Sequence, residues 1–297
     1  MLQSFCRQLK ILPWLRMCFV FTSQLFAPFG FFSCLKTLDF DFLKSIDGCF
    51  TDSVLVTVSL VYALAALFYD GYWRKGYFRR SLELTLEDSK IINISICEGD
   101  LLTNEGYRVI PVNDFFDAIV DNNIISKDSL HGKVLTRFWQ SNDSYHREWS
   151  EEVKSKLRGK YSPEPVARSA GNRLRYPIGA SVALEKDGNQ FIFVALSRTM
   201  DGNVTKATFT DYMNAITKCL EEARRCCSGQ PVAFPLIGSG LSRTKLSPEI
   251  LLQLLLLSIA IESRNDLVSY NFQIVLTAEC MSRINLYRVR EFWRQIN

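Results

Sequence analysis

Two uncharged, strongly apolar stretches near the N-terminus constrain this sequence more than any other feature. The first runs from Met17 to Leu35 and the second from Ser53 to Phe68. A helix needs about 20 apolar residues to cross a hydrocarbon core of roughly 30 Å. Neither stretch keeps the polar stripe of a helix in a soluble protein, and no A-x-A cleavage site of a signal peptide follows. The sequence therefore predicts a two-helix membrane region in residues 1–80.

The charges around these stretches predict an orientation. Three basic residues precede the first stretch and four lie in residues 74–80, whereas the short connection carries four Asp against two Lys. Because segments rich in Lys and Arg stay on the cytoplasmic side of a membrane, we expect both termini to be cytoplasmic. The rest of the chain, residues 81–297, would then be a cytoplasmic domain.

Composition excludes several classes of function. The net charge of +4, from 35 basic and 31 acidic residues, is too small to indicate a nucleic-acid partner. The nine cysteines contain no C-x-x-C pair, and the two histidines, His131 and His146, exclude a His-rich metal site. We therefore expect no bound metal and reduced thiols.

From Ser81 onward, strand and helix patterns alternate. Alternating or continuous apolar runs predict strands at 82–86, 91–97, 107–112, 231–236 and 272–277, and a hairpin at 178–197. Apolar spacing of three or four residues predicts helices at 209–227, 248–262 and 283–296. This order is typical of an α/β fold with a mostly parallel sheet covered on both faces, which binds ligands at the carboxyl ends of its strands.

Three loops follow strands of this predicted parallel sheet. The first contains Asp100 and Leu101; Asp100 could accept a bond from an exocyclic amine, or it could simply cap a turn. The third runs from Pro235 to Arg243, and its glycines would let the backbone approach a diphosphate ahead of a helix N-terminus. The residues proposed from this third loop are Gly238, Ser239, Gly240, Leu241 and Ser242.

The second loop begins at Asn113, which could bond ribose hydroxyls, and continues to a possible helix start at Ser129, Leu130, His131 and Gly132. Backbone N–H groups at a helix start can bind phosphate. His131 has two equally weighted interpretations, a ligand contact and a structural residue of the helix start.

Together these loops resemble those of the macro domain, an ADP-ribose-binding family, over roughly residues 90–280. The resemblance implies a three-layer α/β/α fold in which Asp100 contacts adenine, Asn113 lies near the distal ribose and residues 238–242 hold the diphosphate. Leu101 and Thr277 belong to the same expected ligand-binding set. The sequence departs from the family where the usual N-A-A-N run and glycine triplet are replaced by Asn113–Asp117 and Ser129–Gly132.

A macro-like domain with these altered loops, following two apolar segments in the chain, is similar to the transmembrane macro effectors of type II Thoeris antiphage systems. The resemblance implies a multi-pass protein of the bacterial inner membrane that senses an ADP-ribose-derived nucleotide, with cyclic and amino-acid-conjugated forms both open. It further implies a TIR-domain protein that makes the signal, self-association into a homo-oligomer, contact with membrane lipids, and membrane disruption that causes abortive infection. No cofactor is expected.

Two other functions remain open at this stage. A membrane-tethered ADP-ribosyl hydrolase would need a base near the distal ribose, for which Asp114, Asp117 and His131 are candidates. A structural protein with an empty macro-like fold is the third interpretation. Because the glycine triplet that shapes the hydrolytic pocket is absent, we expect a sensor without catalytic residues.

Overall fold

The protein is described here by a computed structural model covering residues 22–23, 25–26, 52–69, 81–87, 90–200, 205–238 and 246–297. Within these ranges, one helix, α1 (Asp52–Tyr69), belongs to a different compact unit from the sheet-containing part of the chain. The two units are therefore described separately.

Helix α1 corrects the prediction of two membrane spans. It has 18 residues, and at about 1.5 Å per residue its length is about 27 Å, short of a hydrocarbon core of roughly 30 Å. No helix in the described ranges is both long and apolar enough to cross a membrane. The prediction of a multi-pass inner-membrane protein with cytoplasmic termini is therefore wrong. Apart from four residues, the first predicted span, Met17–Leu35, lies outside the described residues.

The second unit is built on a mixed sheet. Its strands are β1 (Ser81–Glu87), β2 (Ile91–Glu98), β3 (Tyr107–Asn113), β6 (Ser181–Lys186), β7 (Asn189–Thr199), β8 (Thr205–Lys206), β9 (Val232–Pro235) and β10 (Asn271–Leu276). The spatial order is β1-β2-β10-β9-β3-β7-β6, with β8 paired to β7. The five central strands, from β2 to β7 in this order, are parallel, while β1, β6 and β8 pair antiparallel.

Helices cover the sheet because its central strands are apolar on both faces. In β7, Phe191 and Phe193 join a core cluster with Trp139 and Trp149, and the intervening Ile192 is also fully buried. Successive side chains of a strand point to opposite faces, so both faces of the sheet are covered. The predicted α/β class with a mixed, mostly parallel sheet is confirmed.

The helices of this unit begin at sequence signals that satisfy their first backbone N–H groups. They are α2 (Leu130–Phe138), α3 (Arg147–Leu157), α4 (Phe209–Cys226), α5 (Pro248–Asn265), α6 (Ala278–Arg283) and α7 (Leu286–Ile296). Thr208 and Asp211 form a capping box on α4, and Ser247 caps α5 ahead of Pro248. A small two-stranded sheet, β4 (Glu164–Pro165) with β5 (Leu174–Arg175), lies between α3 and β6 in the chain. We call residues 162–176 the strap.

Candidate functional site

The parallel strands bring most of the predicted loops to one edge of the sheet. Asp100 follows β2, Thr277 follows β10, Gly238 follows β9, and Asn113 ends β3. Backbone hydrogen bonds join neighbouring strand ends, from the Gly99 N–H to the Leu276 carbonyl at 3.1 Å and from the Asp114 N–H to the Ser197 carbonyl at 3.0 Å. The candidate site is therefore the carboxyl edge of the five parallel strands.

Asp100 is exposed and caps a single turn of 3₁₀-helix, Leu101–Thr103. Its Oδ1 accepts the Leu102 N–H at 3.0 Å, while the side chains of Leu101 and Leu102 are buried. The guanidinium of Arg108 donates to the Asn104 carbonyl at 2.6 Å and fixes the end of this loop. The turn-capping role considered from the sequence is present, and it holds the Asp100 carboxylate at the open edge of the sheet.

Asn113 shapes the turn after β3. Its Oδ1 accepts the backbone N–H groups of Phe115 and Asp117 at 3.3 and 3.2 Å, and its Nδ2 donates to the Asp117 carboxylate at 2.8 Å. The side chain is buried. Its amide is therefore used within the protein, and Phe116 next to it adopts the left-handed conformation with φ of 47°.

A cluster of two buried carboxylates, one buried ring and two half-buried arginines follows Asn113. We call Asp114, Asp117, Arg168, Arg175 and Phe115 the β3-end cluster. Arg168 contacts both oxygens of Asp117 at 3.0 Å, and Arg175 lies 3.2 Å from Asp114. Both guanidinium groups also contact the Phe115 ring, whose centroid is 4.0 Å from the Arg168 Cζ and 4.9 Å from the Arg175 Cζ. The strap is thereby fastened to the carboxyl end of β3.

Asp114 also joins β3 to the end of β7. Its Oδ1 accepts the Thr199 N–H at 2.9 Å, and the Arg175 guanidinium donates to the Thr199 carbonyl at 3.0 Å. Burial of the carboxyl raises the pKa of Asp114, and this effect outweighs the bond from Thr199 and the charge of Arg175, which lower it. The Asp114 side chain is only 1% exposed.

Ser129 caps α2, because its Oγ accepts the Gly132 N–H at 3.0 Å. His131 is buried, with its ring centroid 5.0 Å from that of Trp149. Burial, with a smaller contribution from His146, lowers the pKa of His131 from 6.5 to about 3. A Cβ on Gly132 would lie 2.3 Å from the Ser126 carbonyl oxygen, which explains the glycine. Leu130, which lies between Ser129 and His131, is half-buried.

The other predicted residues lie in a turn, at a helix start or outside the described ranges. Gly238 has φ of 82°, a backbone conformation that favours glycine. Thr277 caps α6 by accepting the Cys280 N–H at 3.3 Å. The remaining residues of the glycine-rich loop, Ser239, Gly240, Leu241 and Ser242, lie outside the described residues. Within the described ranges, no three His, Cys, Asp or Glu side chains form a metal-binding group.

Sequence reasoning missed the strap. Arg168, Asn172 and Arg175 contact the end of β3 from more than 50 positions away in the sequence, the Asn172 N–H donating to Asp117 at 2.7 Å. A usable signal was present, since two Asp residues directly after a buried strand need counter-charges. The three arginines in residues 168–175 are candidates for these counter-charges.

The mixed sheet and its carboxyl-edge loops define a macro-like α/β domain. A family model described as "Thoeris protein ThsA, Macro domain" matches residues 94–277. The chain belongs to this family.

Individual relatives share only a small fraction of their residues with this chain. The Thoeris protein ThsA of Bacillus amyloliquefaciens (strain Y2) is 26% identical over 221 residues, which cover 72% of this chain and 71% of that protein. A macrodomain of Oceanobacillus iheyensis solved with ADP is 12% identical with a TM-score of 0.48, covering 73% of this chain and all of that one. A mutant of that macrodomain solved with ADPR is also 12% identical, with a TM-score of 0.49, covering 72% and 99%.

Proposed function

We propose that this chain is a sensor in antiphage defence whose macro-like domain binds an ADP-ribose-type nucleotide at the carboxyl edge of its sheet. The family match over residues 94–277 carries this proposal. That range contains Asp100, Asn113, the start of α2 and the glycine-rich loop. The exposed Asp100 carboxylate would accept a bond from the adenine amine, and the strand-end loops would hold the sugar and diphosphate.

The geometry supports binding over hydrolysis. Asp117 accepts bonds from Arg168, Asn113 and the Asn172 N–H, and Asp114 is engaged by Arg175 and Thr199. A general base must reach the proton that it abstracts, directly or through one water molecule. These carboxylates are used to hold the strap, and the His131 imidazole is buried against Trp149.

We further propose that a TIR-domain protein supplies the nucleotide and that binding promotes association of this chain with copies of itself. Plain, cyclic and amino-acid-conjugated ADP-ribose all contain the adenine and diphosphate that the proposed site would recognise. A ligand shifts such an equilibrium only as far as it binds the associated form more tightly. Light scattering of the full chain with and without ADP-ribose measures this step.

Calorimetric titration of the full chain with ADP-ribose tests the binding site. Asp100→Asn keeps an oxygen that can accept the Leu102 N–H but loses the charge, so we expect at least tenfold weaker binding with little change in thermal stability. Glu151→Ala, an exposed carboxylate on α3, is the matched control and should bind normally. Absence of ADP-ribose binding by the unaltered chain, or equal affinity in Asp100→Asn, would contradict the proposal.

The alternative function is ADP-ribosyl hydrolysis, and its chemistry can be tested directly. Incubating the full chain with ADP-ribosylated protein and measuring released ADP-ribose provides this test. We expect no turnover at concentrations where ADP-ribose binds. Turnover abolished by Asp117→Asn would show that the β3-end cluster is catalytic and would refute the sensor.

A further inference from the structure

A small cavity lies between the strap, α3 and the turn after β3. Its volume is about 100 Å³, and its lining includes Phe115, Phe116, Val153, Leu174 and Tyr176. The Phe116 and Tyr176 rings meet edge to face with centroids 5.4 Å apart. An apolar cavity of ~150 Å³ holds benzene, so this volume suits a group of about four to six non-hydrogen atoms.

One buried hydroxyl group in the cavity lining has no protein partner. Ser150 is 1% exposed, and its Oγ makes no hydrogen bond in the described part of the chain. A buried hydroxyl without a partner costs about 1–3 kcal/mol. The Ser150 hydroxyl is therefore available as a donor to a small occupant.

Two cations also line the cavity. Lys154 and Arg173 are exposed, and neither forms an ion pair with a carboxylate in the described ranges. Because Phe115, Phe116 and Val153 are buried, the two exposed cations lie on the solvent side of the lining. The lining thus combines apolar side chains, one buried hydroxyl donor and two exposed cations, which favours a small molecule or group with a short hydrocarbon part and one negative charge.

We infer that this cavity is a subsite for a small organic carboxylate, either free or as part of a larger ligand. The hydrocarbon part would contact Phe116 and Val153, and the carboxylate would accept a bond from the Ser150 hydroxyl near Lys154. The cavity adjoins the end of β3, so the inference extends the proposed nucleotide site. It does not require that site to bind ADP-ribose.

Ligand-observed NMR of the full chain with propionate, and with propionamide as its neutral analogue, tests this subsite. We expect saturable millimolar binding of propionate and at least fivefold weaker binding of propionamide. Ser150→Ala and Lys154→Met should each weaken propionate binding at least threefold. Lys156→Met, which removes an exposed charge from the same helix outside the cavity lining, is the control and should change binding less than twofold.

Each outcome decides for or against the subsite. Equal binding of propionate and propionamide, no saturable binding of either, or equal losses in Lys154→Met and Lys156→Met would overturn it. Titration of the same variants with ADP-ribose separates the two proposals. Propionate binding without ADP-ribose binding would remove the proposed function and leave the subsite, and the reverse result would remove the subsite alone.

Discussion

Replacing Arg168 with Met tests whether the β3-end cluster holds the strap. Arg168 contacts both oxygens of Asp117 at 3.0 Å, and the Asp117 side chain is fully buried. Removing one partner of a buried ion pair costs about 3–5 kcal/mol. Asp117 keeps its hydrogen bonds from Asn113 and Asn172, so we expect a cost near the lower end of this range. Loss of the contact between Arg168 and the Phe115 ring adds up to ~1 kcal/mol.

We therefore expect Arg168→Met to lower the free energy of unfolding by about 3–4 kcal/mol. For a domain of this size each kcal/mol lowers Tm by about 2–4 °C, which gives a decrease of roughly 6–16 °C. Differential scanning fluorimetry and urea unfolding of the full chain measure both quantities.

A double variant and a surface control complete this experiment. Adding Asp117→Asn to Arg168→Met removes the stranded charge, so the combined loss should be at least ~1 kcal/mol smaller than the sum of the single losses. Arg283→Met breaks an exposed pair with Glu279 and should cost less than ~1 kcal/mol. If Arg168→Met is no more harmful than Arg283→Met, the ion pair does not hold the strap.

Three further predictions concern α2. The His131 pKa is lowered in the folded state, so the unfolded chain binds the proton first as the pH drops from 6.5 towards 3. The free energy of unfolding should therefore fall over this range by up to about 1.4 kcal/mol per pH unit. His131→Phe should flatten the dependence of stability on pH in this range, and an unchanged slope would contradict the burial argument. Ser129→Ala removes the cap of α2 and should cost ~1 kcal/mol in urea unfolding, whereas Ser282→Ala, at an exposed helix end, should be nearly neutral. Gly132→Ala places a Cβ 2.3 Å from the Ser126 carbonyl and should lower Tm more than Ser129→Ala does; a smaller decrease would show that the 126–132 turn can shift.

The fold of residues 81–297 could be predicted because its central strands are continuous apolar runs separated by helical periodicity. The helix at 248–262 was assigned correctly from Ser247–Pro248, which mark a helix start, although its residues are almost all apolar. The same apolar composition led to a membrane span being predicted at Ser53–Phe68. The helix itself was predicted within one residue at each end, since α1 covers Asp52–Tyr69, but no helix in the described ranges is both long and apolar enough to cross a membrane.

The candidate site could be predicted only for residues whose position is determined by the sequence next to them. Asp100, Asn113 and Gly238 could be placed because each lies within three residues of the carboxyl end of a strand. The partners of Asp114 and Asp117 could not be placed, because Arg175 and Arg168 reach them through a long connection whose path local patterns do not specify. His131 shows the same limit, since its ring packs against Trp149 from α3 and Phe193 from β7, which local sequence does not place.

The β3-end cluster gives a physical reason for the departure from the N-A-A-N pattern. Small residues after the first Asn would leave the turn without side chains that can hold a covering segment. Here Asp114 and Asp117 bind two arginines of the strap, and both guanidinium groups contact the Phe115 ring. Because Tyr176 also donates its N–H to the Asp114 carbonyl at 2.7 Å, the turn and the strap must move together or break buried bonds. A ligand that displaces the turn would therefore displace the strap, and a change at the surface of the strap is the kind of output that a sensor requires.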